Sequence, residues 1–116
     1  MADSAQLDFV QVNVVDDLLK LTAKRHGRGG TGVQEQLSLP ISWASWVLET
    51  LPKMDYRNHT QTAEREGFAV ELSRIGEDYD ISFLLSTRPV DRRPQVIEVR
   101  EHLVPTLLAL LAPHAR

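Results

Sequence analysis

The chain has 116 residues, no cysteine and a formal charge of −3 at neutral pH. A chain of that length can bury roughly two-thirds of its unfolded surface and needs neither a disulfide nor a metal to hold a core, while the acidic balance argues against a general nucleic-acid binder, whose footprint is basic. No basic segment leads into an apolar one at the start, and the longest apolar run, residues 103–112, is broken by Pro105 and Thr106 and spans about half a bilayer, so a soluble, cytoplasmic protein is expected.

Strand-type alternation dominates the first third. Val10, Val12 and Val14 share one face, with Phe9, Gln11 and Asn13 on the other. After Asp16-Asp17 the alternation resumes, Leu19, Leu21 and Ala23 against Lys20, Thr22 and Lys24, which reads as a β-hairpin turned by two acids. A helix over 15–25 is the rival, because Val15, Leu18, Leu19 and Thr22 also fit a 3.6 period; the β-branched run before it favours the hairpin. Residues 27–32 form a glycine-rich loop, and a third strand follows with Val33, Glu35, Leu37 and Leu39 on one side, closed by Pro40.

The next segment is helical. Trp43, Trp46, Val47, Thr50 and Leu51 make one apolar stripe, with Ser42 as N-cap and Pro52 in the last turn. Two tryptophans at this spacing are expected in the core rather than as interface anchors. Residues 55–66 carry no apolar period and read as a long polar loop. A second hairpin then follows: Phe68, Val70 and Leu72 alternate with Ala69, Glu71 and Ser73, the chain turns at Gly76-Glu77-Asp78, and Ile81, Phe83 and Leu85 alternate with Ser82, Leu84 and Ser86. Val96, Ile97 and Val99 suggest a short last strand. A helix over 102–112 would hold Pro105 in its first turn and bury Leu103, Leu107, Leu110 and Leu111. The expected fold is one α+β domain over 1–116, order βββ-α-βββ-α, with a mainly antiparallel sheet of about five to six strands and two helices on one face. No internal repeat is visible in the residues.

Several chemical templates fail. Gly27-x-Gly29-x-x-Gly32 matches the letters of a dinucleotide fingerprint, but that motif needs a helix leaving the glycine turn, and here a strand leaves it. Neither a nucleotide cofactor nor a metal is therefore expected; the histidines (His26, His59, His102, His114) share no ligand spacing. No serine sits in a nucleophile elbow. The paired acids Asp16-Asp17 and Glu77-Asp78 are explained by turns.

Charge is the remaining signal. Residues 64–80 hold six acids against Arg65 and Arg74, a local net of −4. The expectation is a non-enzymatic protein-binding module of the inhibitor, immunity or chaperone type. It would mask a cationic protein partner, such as a basic toxin or secreted effector, through Glu77, Asp78, Asp80, Glu64 and Glu66, with Tyr56 and His59 of the polar loop beside them. The alternative is nucleic-acid or nucleotide binding through Gly27–Gly32 and the flanking Lys20, Lys24, Arg25 and Arg28, aided by Arg88, Arg92, Arg93 and Arg100. No aromatic residue lies among those bases to stack on a nucleobase, so a solvated edge strand is the simpler reading of them. The leucine-rich C-terminal helix could bury a second face on a symmetric partner.

Overall fold

Asp16 and Asp17 have φ of 51° and 64°, the left-handed pair that a two-residue hairpin turn requires and that aspartate tolerates better than most residues. They join β1 (Phe9–Val15) to β2 (Leu18–His26), so 15–25 is strand and turn rather than helix. In the computed structural model the described residues are 8–26, 32–65, 67–76, 81–89 and 93–115. β3 (Gly32–Pro40) pairs antiparallel with β2, with Gly32 opposite His26. The glycine segment therefore leads from strand to strand, as its exit pattern requires. β2 is the central strand of this sheet, so Lys20 and Lys24 lie on a sheet face and not along an edge.

Pro40 keeps an extended backbone, and the amide of Ile41 donates to the Asp17 carbonyl at 3.0 Å, which fixes where the strand ends. A 3₁₀ turn (Ile41–Trp43), α1 (Ala44–Thr50) and a second 3₁₀ turn (Leu51–Lys53) follow. Ser42 is not the N-cap: the bond to Asp17 starts the winding one residue earlier, and Ser42 falls inside the first turn without a capping bond. Trp43, Val47 and Leu51 are buried; Trp46 is half-buried and meets the Trp43 ring edge-on, centroids 5.5 Å apart. The pair belongs to the core and its margin.

A second antiparallel sheet contains β4 (Thr60–Arg65), β5 (Phe68–Ile75), β6 (Ser82–Pro89) and β7 (Gln95–Arg100), in that spatial order. β4 corrects the expectation of a loop through 66. Its inward positions are Gln61, Ala63 and Arg65, opposite Leu72, Val70 and Phe68, so only Ala63 carries the apolar signal. As an edge strand it has one neighbour to pack on, and Arg65 covers the Trp43 ring at 4.9 Å instead of entering the core. The order is thus βββ-α-ββββ-α, an α+β fold with seven strands in two sheets rather than five to six in one. After β7 come a 3₁₀ turn (Glu101–Leu103), α2 (Val104–Leu111) with Pro105 in its first turn, and a last 3₁₀ turn (Ala112–His114). Among the described residues no helix is long and apolar enough to cross a membrane.

The two halves repeat one path. Val15 and Leu18 close the first hairpin as Ile75 and Ser82 close the second, and Leu18 faces Pro40 as Ser82 faces Arg100. Entry to α2 repeats entry to α1: Arg100 is extended like Pro40, and the Glu101 amide donates to the Ile81 carbonyl at 3.0 Å. Both helices lie between 3₁₀ turns, each closing turn holding a proline at its second position (Pro52, Pro113), and the buried Val47 and Leu51 correspond to Leu107 and Leu111.

The halves meet along β3 and β7 through two matching bonds. The Ser38 amide donates to Gln95 Oε1 at 2.9 Å, and the Glu98 amide donates to Glu35 Oε1 at 3.1 Å. Ser38 is the counterpart of Glu98, and Glu35 of Gln95, so each bond is the other's image when the two halves are exchanged. Arg25 closes this seam, with Glu35 at 2.7 Å and Glu98 at 3.3 Å. A single cluster of buried side chains, from Leu19, Leu21, Leu37 and Leu39 through Val70, Leu72, Leu85, Ile97 and Val99, joins both sheets to the helices.

Candidate functional site

The segment between the second 3₁₀ turn and β4 is folded tightly by its own polar groups. Asp55 Oδ1 accepts from the amides of Arg57 and Asn58, each at 2.8 Å, and the Asp55 amide donates to the Asn58 carbonyl. Asn58 Nδ2 donates to the Lys53 carbonyl, and Gln61 Nε2 to Asn58 Oδ1. The bonds from the Asn58 and Arg57 amides, with the Arg74 charge nearby, hold the Asp55 carboxyl below the ordinary aspartate range. This scaffold pushes Tyr56 outward to 68% exposure, with the Arg57 guanidinium 5.3 Å from its ring centre. His59 is exposed beside it, its Nδ1 3.1 Å from Thr60 Oγ1, and its carbonyl accepts from the Arg74 amide at 2.8 Å.

That last bond sets the location. Arg74 and Ile75 end β5 where the chain enters 76–81, so Tyr56 and His59 lie at the end of the four-stranded sheet that carries the β5–β6 connection. Glu77, Asp78 and Asp80 belong to that connection and lie outside the described residues, as does Glu66. Glu64 is exposed but pairs with Ala69, near the start of β5. An eight-residue strand separates the two ends by roughly 20 Å. The acids read from sequence as one face therefore divide: Glu64 is at one end of β5, and Tyr56 and His59 are at the other with the 76–81 connection.

The basic residues divide as well. Arg25 is held by two carboxylates at the seam, and the His26 amide donates to Asp8 Oδ1, which also lies against His26 Nδ1, each at 3.0 Å. Lys20 and Lys24 lie on the outer face of the first sheet among Gln11, Asn13, Thr22, Gln36 and Ser38. Residues 27–31, Arg28 included, and Arg92 are outside the described set; Arg88 and Arg93 are exposed. A hollow of about 260 Å³ on the second sheet is lined by Thr62, Glu71, Ser86, Arg88, Pro94 and Val96 among others. Among the described residues no three His, Asp or Glu side chains gather as a metal site would need.

Sequence reading missed the Asp8–His26 clasp and the Arg25–Glu35–Glu98 cluster. Glu35 sits on the otherwise apolar face of its strand, and that misplaced charge was the available signal. No family model matches the chain, and no curated protein does either.

Proposed function

We propose that this protein is a cytoplasmic, non-enzymatic binding module of the inhibitor, immunity or chaperone type that engages a basic protein partner through the β5–β6 end of its second sheet. The observation that supports the reading is the location of Tyr56 and His59: an internally braced turn presents both at the end of the sheet where residues 76–81, a segment whose sequence holds Glu77, Asp78 and Asp80, connect β5 to β6. Aromatic groups beside concentrated charge suit a protein interface, the acids speeding encounter and the tyrosine supplying contact area. Glu64 is at the far end of β5 and falls outside this interface.

Affinity capture from the native cell with three baits tests the reading. Wild type and the E64K/E66K variant should retain the same basic protein, while E77K/D78K/D80K should lose it. Equal retention by all three would remove the acidic end from the function.

A second reading, binding of a polyanion, draws on the outer face of the first sheet, where Lys20 and Lys24 stand among amides and hydroxyls. It predicts steeply salt-dependent retention on DNA or RNA that K20E weakens.

A further inference from the structure

We infer that β1 is a homodimerisation edge, on which a second copy of this chain adds its own β1 antiparallel to make one continuous sheet of six strands. The inference is independent of the partner reading above. β1 is the outer strand of its sheet among the described residues, whereas its counterpart β5 has β4 on the same side. Natural sheets guard such edges with charge, proline or bulges. Of the outer strands away from the β3–β7 seam, β4 carries Glu64 and Arg65, whereas Phe9–Val15 contains no charge and no proline.

The hairpin decides which backbone groups are offered. In a two-residue hairpin the pair flanking the turn, here Val15 and Leu18, exchanges both backbone bonds. Asn13, Gln11 and Phe9 then also bond to β2. Val10, Val12 and Val14 turn their amides and carbonyls away from it, toward the outer edge of the described sheet, where Val14 is exposed, Val12 half-buried and Val10 buried.

The strand reads nearly the same in both directions, Phe-Val-Gln-Val-Asn-Val-Val. With Val12 set against Val12 of a second copy, every antiparallel pair matches in kind. Val10 meets Val14, Gln11 meets Asn13, and Phe9 meets Val15. The three pairs built from Val10, Val12 and Val14 are the ones whose outward backbone groups face each other, so each can exchange two hydrogen bonds. Val14 and Val15, exposed at 41% and 44%, gain apolar neighbours from the second copy. A self-complementary strip of this kind is what an isologous interface requires.

Light scattering on the full chain over a dilution series tests this, with circular dichroism as the check on folding. Wild type should approach twice 13.1 kDa. V14P removes an outward amide without touching the β1–β2 ladder, and should associate roughly tenfold more weakly or worse. Q11E/N13E sets like charges across both amide contacts and should weaken association roughly tenfold, while Q11K/N13E sets opposite charges there and should restore it. A single-chain mass for wild type at every concentration overturns the inference. So does an unchanged dimer in both weakening variants. Hydrogen-exchange protection of the Val10, Val12 and Val14 amides that persists in the single chain would also overturn it, by placing another part of the same chain on the edge.

Discussion

β1 and β5 hold equivalent places in the two halves but differ in almost everything around them. β5 has β4 on its outer edge, and its hairpin continues through the acidic 76–81 connection. β1 is an outer strand among the described residues, and its hairpin closes in two residues. The interior shows the opposite. Leu19, Leu21, Leu37 and Leu39 correspond to Phe83, Leu85, Ile97 and Val99, and all eight are buried. The repeated part is thus the buried frame and its entry into each helix. The unlike part is the periphery, where the strand edges, the hairpin ends and the charges lie. Both proposals rest on that periphery, one on each half.

If the interior is one shared core, equivalent truncations in the two halves should behave alike. Leu21→Ala and Leu85→Ala each empty a site that is at most 2% exposed, and each should cost about 2–5 kcal/mol. Both variants should unfold in a single denaturant transition with the slope of the wild type. Two resolved transitions, with one half lost and the other kept, would break the comparison at its base.

The seam offers a finer test because its two bonds are related by symmetry but not by charge. Gln95→Ala removes an exposed acceptor from the Ser38 amide and should cost less than about 1 kcal/mol. Glu35→Ala removes the acceptor from the part-buried Glu98 amide and one of the two carboxylates on Arg25, and should cost about 1–3 kcal/mol. Equal losses in urea titrations would mean that Arg25 adds nothing to the seam.

How much of this was legible follows from how many neighbours each element has. The hairpins at 9–26 and 68–89 were readable because one face of each strand is buried, so apolar residues must alternate. The stripes Trp43-Val47-Leu51 and Leu107-Leu111 were readable for the same reason at helical spacing, and Pro105 fixed where α2 begins. β4 was not, since an edge strand can satisfy its inward face with Gln61, Ala63 and an arginine lying over Trp43. Its threonines, Thr60 and Thr62, were the only local hint. The repeat was invisible because it is kept as burial and hydrogen bonding: Val10 corresponds to Val70, but Gln11, Val12 and Asn13 correspond to Glu71, Leu72 and Ser73. The division of the acids was invisible too, since closeness in sequence at 64–80 hides a full strand length between the ends.

The smallest expected effect concerns the brace beneath Tyr56 and His59, which joins the first half of the fold to β4. The Asp55 carboxyl is held below the ordinary aspartate range by the amides of Asn58 and Arg57, so its charged form is favoured in the folded chain. A lowered folded value means that the brace contributes fully above the unfolded aspartate value and fades as pH falls through the folded one. Neutral solution should therefore show slow exchange of the Arg57 and Asn58 amides, rising selectively as the solution is acidified through the Asp55 titration. Asp55→Asn keeps an acceptor oxygen but removes the charge, so it should abolish that pH dependence and leave exchange at its acid level throughout. A pH response that survives in Asp55→Asn would assign the titration to another group and remove Asp55 as the fixture of the Tyr56–His59 turn.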